Sequence, residues 1–213
     1  MSAAPARIVL ASASPRRREL LAQAGLVFEV TPADVDEELA GEIEPEAAAR
    51  VLAERKARAV AARQPEESFV IGADTIVAVP LAAGRWQLLG KPEDQAQAAD
   101  MLRALSSTRH LVVTGLCVVR TRDGATFLDA ERTHVCMRPI SAQELEDYVR
   151  SGEWRDKAGG YAIQESADRF VSALEGGGLD NVVGLPVART LALLQAAGAA
   201  LEGVRLAGRQ TLR

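Results

Sequence analysis

The segment 68–79, SFVIGADTIVAV, constrains the fold of this chain more than any other stretch. It is strongly apolar and rich in β-branched residues, a composition typical of a buried central strand. A membrane-spanning helix needs roughly 18 apolar residues, and no apolar run in this chain approaches that length. The segment therefore predicts an α/β protein built around an interior strand.

The composition indicates a soluble, cytoplasmic protein. Hydrophobic residues make up 48% of the chain, which is enough for a substantial core, and the net charge is −4. Non-specific nucleic-acid binding needs a broad basic surface, so it is not expected as the main role. The first six residues do not resemble a signal peptide. Cys117 and Cys136 are expected to be free buried thiols, and the scattered cysteines and histidines make no zinc pattern.

Helices and strands alternate along the chain, with one antiparallel hairpin turning at Asp123-Gly124. This pattern favours a mixed sheet with helices packed on it. There is no internal repeat, and no linker is long enough to separate independent domains. Strands are predicted at 7–12, 68–79, 110–121, 125–137 and 168–174. The segment 27–38 is predicted to be a short strand followed by an acidic loop, 85–94 a strand that ends in a turn, and 156–164 a loop that leads into a strand. Helices are predicted at 15–24, 45–63, 92–106, 141–151 and after Pro186, with a flexible connection at 175–181 and a frayed tail after about 202.

Three consecutive arginines, Arg16 to Arg18, crowd the start of the first helix, where Ser14 is the predicted N-cap and Pro15 the first helical residue. A helix N-terminus is the positive end of the macrodipole, and a cation there costs about 0.3–1 kcal/mol. An anion bound on this turn would remove the conflict, because main-chain N–H groups and guanidinium groups would both bind it. The alternative is a solvated basic helix end. Arg18 is expected to be a surface residue.

Acidic residues occur at two positions that suit a cation site. Asp74 interrupts the apolar strand, where an unpaired carboxylate would be costly to bury. It is either a metal ligand or general base at a strand end, or a carboxylate that caps a loop. The run Asp36, Glu37 and Glu38 either supplies a second carboxylate for Mg²⁺ or is a solvated loop.

Two lysines and one glutamine are further candidates. Lys56 lies on a predicted helix and Lys91 in a Gly-Lys-Pro turn, and either contacts phosphate or is a surface residue. Gln164 either reads a base edge or is a hydrogen-bonded core residue. No Walker loop, Gly-x-Gly-x-x-Gly turn or Gly-x-Ser-x-Gly elbow is present, and His110 and His134 are interpreted as ordinary strand residues.

Eight stretches together resemble the Maf family. They occur in the family's order from near residue 8 to about residue 194, and their combination is highly specific. They are LASASPRRRELL, ADVDEE, AERKA, IGADTIVAV, LGKPED, VVTGLCV, DKAGGYAIQ and NVVGLP. The resemblance implies a cytoplasmic nucleoside triphosphate pyrophosphatase that splits the α–β bond with a divalent metal, Mg²⁺ or Mn²⁺. It also implies an ITPase/Maf-like fold: an elongated, twisted mixed sheet in a single domain, 1–213, with two non-independent lobes and a cleft.

The resemblance assigns roles to matching positions of this chain. Asp74 and Glu37, the latter in preference to the adjacent Asp36, are implied to be catalytic and metal-binding, and Lys91 is implied to be catalytic. Within the family, Asp-Lys-Ala-Gly followed by Gln resembles the subgroup that acts on dTTP and UTP. The implied substrate-binding residues are Ser12, Arg16, Arg17, Lys56, Thr75 and Gln164, of which Arg16, Thr75 and Gln164 correspond to specificity positions.

Two rival functions remain open from the sequence. One is the 7-methyl-GTP pyrophosphatase subgroup of the same family, and the other is a non-catalytic nucleotide-binding regulator of cell division. A nucleoside triphosphate is the expected partner, without nucleic acid or membrane, and a homodimer is left open. The loop before NVVGLP departs from the family pattern, because Leu179-Asp180 stands where a serine is frequent.

Overall fold

The structure is a computed structural model that describes residues 7–65 and 67–201. The strands are β1 (Arg7–Leu10), β2 (Glu29–Val30), β3 (Ser68–Pro80), β4 (Trp86–Leu89), β5 (Arg109–Arg120), β6 (Ala125–Met137) and β7 (Val171–Glu175). The helices are α1 (Pro15–Gln23), α2 (Pro45–Ala61), α3 (Gln95–Leu105), α4 (Ala142–Ser151), α5 (Leu179–Val183) and α6 (Val187–Ala196). Short 3-10 helices span Ala82–Gly84, Ala158–Gly160 and Ser166–Phe170.

The strands form one mixed sheet in the order β2-β1-β3-β5-β6-β7. β1 pairs in parallel with β2 and β3, whereas β3, β5, β6 and β7 pair antiparallel in succession. β4 pairs with the C-terminal part of β3, on the edge that β1 also uses. The predicted mixed α/β sheet and its hairpin are confirmed. The division of one domain into two lobes stays a prediction.

Different apolar clusters cover the two halves of β3. One cluster packs Val77 against α3 and α4, where Leu102 and Tyr148 are fully buried. Another packs Ile71 against α1 and α6, where Leu194 is fully buried. Helices thus flank the sheet along the whole length of its long central strand. No helix in the described ranges is long and apolar enough to cross a membrane.

Helix α2 lies directly on the middle of the sheet because two strand residues there are glycines. A Cβ at Gly72 would lie 2.1 Å from the main-chain oxygen of Ala53, and one at Gly115 would lie 2.3 Å from the carbonyl of Ala49. The buried side of α2 includes four fully buried alanines, Ala48, Ala49, Ala53 and Ala57. Small residues on both surfaces therefore allow the helix and sheet backbones to come into contact.

Four local predictions are wrong. The helix predicted from Pro92 begins at Gln95, because Asp94 is its N-cap and accepts from the Gln97 amide. Residues 168–170 belong to a 3-10 helix rather than a strand, since Phe170 turns into the core against Tyr148. The predicted flexible connection ends in a helix, because α5 begins at Leu179. The strand predicted within 156–164 is absent from this described segment, where residues 158–160 form a 3-10 helix.

Other local expectations are met or fall outside the structure. Ser14 caps α1 and Pro15 is its first residue, as predicted, and Arg18 is exposed. Both cysteines are free thiols, although Cys136 is only half-buried. The tail expected to fray after about residue 202 lies outside the described residues.

We expect Gly115→Ala to destabilise the protein by about 1–3 kcal/mol, because overpacking forces the helix away from the sheet. Gly90→Ala is the matched control, since a Cβ there meets no atom of the described chain within 4 Å. Urea unfolding measures both variants. Equal stability of the two alanine variants would contradict the close packing of α2.

Candidate active site

The candidate site lies at a gap in one edge of the central strand. On this edge β1 pairs with residues 68–71 of β3, and β4 pairs with residues 77–80. Residues 72–76 are paired on the other edge with β5 but have no strand partner on this one within the described chain. β1 runs parallel to β3 and β4 antiparallel, so the turns that follow both strands enter the gap from opposite ends. The polar residues Asp74 and Thr75 lie in it.

The side chain of Arg17, in the first turn of α1, donates hydrogen bonds to three neutral acceptors. Its Nε donates to the main-chain oxygen of Gly184 at 2.8 Å, and its Nη2 donates to Thr75 Oγ1 at 3.0 Å. Its Nη1 donates to Ser12 Oγ at 3.3 Å. A guanidinium has five N–H donors, so two remain for a ligand. These bonds fix the side chain, and because the acceptors are neutral they do not neutralise its positive charge.

The position of the Arg17 guanidinium removes part of its hydration. Burial lowers its pKa, while the negative charge of Asp74 acts in the opposite direction and the neighbouring Arg16 reinforces the lowering. Arginine still stays protonated at physiological pH. The result is a pre-positioned cation that forms no ion pair with the described residues, an arrangement suited to a polyanion.

A buried ion pair occupies the face of β3 covered by α2. Lys56 Nζ lies 2.5 Å from Asp74 Oδ1, and the two residues are only 9% and 7% exposed. Lys56 projects from α2, whose close approach at Gly72 brings it to the strand. Because the carboxylate interrupts an apolar strand, its burial depends on this partner.

A second carboxylate meets the same lysine. Glu37 Oε1 lies 2.7 Å from Lys56 Nζ. Arg55 holds the loop on both sides of Glu37 by donating to the main-chain oxygens of Asp36 and Glu38. Burial by itself raises the pKa of Glu37, but the hydrogen bond and charge of Lys56, with Lys91 and Arg17, bring it below its ordinary value.

The three acidic residues of this loop are therefore not equivalent. The Asp36 carboxylate accepts from the Glu38 amide at 2.8 Å and shapes the turn. The structure brings Glu37, and not its neighbours, to Lys56 and Asp74.

Three other predicted site residues form no side-chain bonds within the described structure. The side chains of Arg16, Lys91 and Gln164 form no hydrogen bond or ion pair with the described residues, and Lys91 and Gln164 are exposed. The segment that carries Gln164 is nevertheless joined to the turn that carries Lys91, because the Gly159 amide donates to the Gly90 oxygen at 2.9 Å. The structure places neither side chain in contact with Asp74.

A buried pair of side chains fastens the Gln164 segment to the sheet. His110 Nε2 lies 2.8 Å from Tyr161 Oη, and both residues are buried. Burial, with a smaller effect of His134, lowers the pKa of His110 to about 4. The imidazole is therefore neutral at physiological pH and acts as a structural hydrogen-bonding group.

Asp74 and Glu37 are the carboxylates available to a cation in this gap. Their oxygens Oδ2 and Oε2 have no hydrogen-bond partner among the described residues. Two carboxylates suit a hard cation such as Mg²⁺ or Mn²⁺ that takes further ligands from water and phosphate. In the described ranges no group of three or more His, Cys, Asp or Glu side chains could hold a metal by itself.

Sequence reasoning missed three residues that support the site: Arg55, Thr114 and Asn181. Thr114 and Asn181 are fully buried and bonded to each other. The available signal was Thr114 itself, a polar residue inside an apolar strand, as Asp74 is. Nothing in a single sequence shows that Arg55 binds a main-chain loop.

Comparison with known proteins gives a consistent result. A family profile described as "Maf-like protein" matches residues 7–197. A dTTP/UTP pyrophosphatase of Koribacter versatilis is 47% identical over 192 residues, covering 90% of this chain and 94% of that protein. One from Anaeromyxobacter dehalogenans (strain 2CP-C) is 49% identical over 195 residues, with coverage of 90% and 94%. One from Pelotomaculum thermopropionicum is 44% identical over 191 residues, with coverage of 90% and 96%.

A solved structure shows a weaker similarity. A nucleoside-triphosphatase, or dITP/XTP pyrophosphatase, of Mycobacterium abscessus matches 64% of this chain and 75% of its own. The TM-score is 0.38 and the sequence identity 19%, values too low to support an argument.

The buried His110 predicts a stability that depends on pH. Folded His110 takes up a proton only near pH 4, whereas an unfolded histidine does so near pH 6.5. Between these values the unfolded state binds more protons, so stability falls as pH falls, by about 3 kcal/mol in total from this group. Urea unfolding from pH 7 to pH 4 should show a shallower dependence for His110→Gln than for wild type.

His134→Gln is the matched control, because His134 is only half-buried and should leave most of the dependence in place. All three proteins contain the same carboxyl groups. Parallel curves for wild type and His110→Gln would contradict the assignment.

Proposed function

This chain belongs to the Maf family, and we propose that it is a nucleoside triphosphate pyrophosphatase that converts dTTP and UTP to the monophosphate and pyrophosphate. The observation that carries the proposal is the gap in β3, where the carboxylate of Asp74 lies near the positioned guanidinium of Arg17. The printed names of the relatives, dTTP/UTP pyrophosphatase, support this choice of substrate. We propose that the enzyme acts in the cytoplasm.

Basic residues would bind the triphosphate. Arg17 would offer its two remaining N–H donors, and Ser12 supports it. Arg16, the preceding residue, forms no ion pair with the described residues and would add a second guanidinium. Lys91 would enter from the β4 end of the gap. Lys56 would bind phosphate from the α2 side while it pairs with the two carboxylates. Cations at both ends would neutralise the charge that develops on the leaving pyrophosphate, and one such group contributes about 3–4 kcal/mol.

A divalent cation fits the two carboxylates, and Asp74 and Glu37 would hold it. When bound, Mg²⁺ or Mn²⁺ would polarise phosphate oxygens and favour deprotonation of an attacking water. Lys56 keeps both carboxylates in one place before any ligand arrives. The lowered pKa of Glu37 keeps that group ionised and ready to bind a cation.

Hydrolysis of the α–β bond also needs an acceptor for a proton. The water oxygen bonds to phosphorus of the monophosphate product, the bridging P–O bond breaks, and pyrophosphate leaves with the bonding electrons. Asp74 would accept the proton that the water loses or orient the water for this transfer. Its rigid place on β3 would fix this geometry.

Base recognition would come from Thr75, Gln164 and Arg16. Thymine and uracil present an imide edge of carbonyl, N–H and carbonyl. A glutamine amide can pair with such an edge because it has both a donor and an acceptor. Sites built to bond these groups reject analogues that lack them, often by about 10⁴-fold.

The first test is a substrate panel with purified protein. We expect pyrophosphate release from dTTP and UTP that requires Mg²⁺ or Mn²⁺, with far slower release from CTP and GTP. Preference for 7-methyl-GTP would assign the chain to the rival subgroup. Nucleotide binding without pyrophosphate release would favour a non-catalytic regulator.

The second test is Asp74→Asn. This substitution keeps the shape of the side chain but removes its charge, so kcat should fall by at least about 100-fold, the usual size of a general acid–base contribution. Asp100→Asn is the control, because Asp100 is an exposed residue paired only with Arg103. Circular dichroism should show both variants folded. A rate equal to that of the control would remove Asp74 from catalysis.

A further inference from the structure

We propose that Thr114 is a positioning residue for Arg17, acting through a one-way chain of hydrogen bonds. The chain runs from the Arg17 guanidinium to Thr75 Oγ1, then to Thr114 Oγ1, and ends on the main-chain oxygen of Asn181. The three distances are 3.0, 3.0 and 2.9 Å. The catalytic consequence rests on the proposed function, in which Arg17 binds the triphosphate.

The direction of every bond follows from the chemistry of the two ends. A carbonyl oxygen only accepts, so the single hydroxyl proton of Thr114 must point to Asn181. A guanidinium only donates, so Thr75 Oγ1 must accept from Arg17. The bond between the two hydroxyls therefore has one possible polarity, in which Thr75 donates to Thr114.

This polarity gives Thr75 a lone pair aimed at Arg17. A free hydroxyl rotates, and it can turn its proton toward the guanidinium as readily as its lone pairs. Thr114 removes that freedom by taking the Thr75 proton. The hydroxyl of Thr114 thus determines which orientation of Thr75 the guanidinium meets, although Thr114 is fully buried and does not reach the gap itself.

The end of the chain is itself firmly held. Asn181 is fully buried; its Oδ1 accepts from the Thr114 amide at 3.1 Å, and its Nδ2 donates to Val112 O at 3.3 Å and to Thr133 Oγ1 at 2.8 Å. Gly184, whose oxygen accepts from Arg17 Nε, follows directly at the end of α5. The short helix α5 and the glycine directly after it therefore provide both the last acceptor of the hydrogen-bond chain and a direct acceptor of Arg17.

The experiment removes only the hydroxyl. Thr114→Val keeps the shape of the side chain and the amide that anchors Asn181, whereas Thr114→Ser keeps the hydroxyl. Thr190→Val is the matched control, because Thr190 is also fully buried and donates to a main-chain oxygen, that of Pro186, in α6. Melting temperatures of all variants report the cost to the fold separately from the cost to the site.

For UTP, we expect Thr114→Val to lower kcat/KM by about 10- to 100-fold, the usual result of a misplaced binding group. Thr114→Ser should restore activity to within a few-fold of wild type, and Thr190→Val should lose stability but keep kcat/KM. In an Arg17→Lys background, Thr114→Val should have little further effect, because the two residues act together. An equal fall in both backgrounds would overturn the proposal.

A readout without substrate separates this inference from the proposed function. Solvent exchange of the Arg17 Nε proton, followed by NMR and assigned by its absence in Arg17→Lys, should be about tenfold faster in Thr114→Val than in Thr114→Ser. Inactivity of wild type toward UTP would end the proposed function and leave this measurement intact. Equal exchange rates in the two variants would overturn the role of Thr114.

Discussion

Helix α2 can lie directly on the sheet because Gly72 and Gly115 have no side chains, and the candidate site depends on that contact. A helix held a few ångströms farther away would leave Asp74 as an unpaired carboxylate in an apolar strand. With the backbones in contact, Lys56 reaches Asp74 and Glu37 together. The packing that completes the core therefore also allows an acidic group to be buried. The core and the candidate site both depend on the contact between α2 and the sheet.

The second determinant is a discontinuity in the sheet. β1 stops opposite Ile71 and β4 stops opposite Val77, so the middle of β3 has a free edge between them. Both strands send turns into this gap because one is parallel to β3 and the other antiparallel. A fully paired sheet of the same strands would close this edge of β3.

The cations on the two sides of the gap, Lys56 and Arg17, have different kinds of partner. Lys56 is paired with two carboxylates, those of Asp74 and Glu37, and its hydrogen bond and charge contribute to lowering the pKa of Glu37. Arg17 is fixed by a hydroxyl on each of two segments and by a main-chain carbonyl, so its charge is not cancelled. Neutral acceptors orient a guanidinium without cancelling its charge, so the unfavourable contribution is its desolvation. An anionic ligand bound here would remove the energetic conflict of a helix that begins with arginines.

The sequence by itself determined the local structure: the central strand, the Ser14 cap, the Asp123-Gly124 hairpin and the mixed sheet all follow from periodicity and turn chemistry. Its motifs also identified Arg17, Lys56 and Asp74 as a group. The resemblance already preferred Glu37 to Asp36, but only the tertiary structure decided that Glu37 pairs with Lys56, that α5 is a helix, and that Thr114 and Asn181 bond beneath Arg17. These outcomes depend on partners far away in the chain, and a local pattern carries no information about a hydrogen bond whose other end lies 67 residues away.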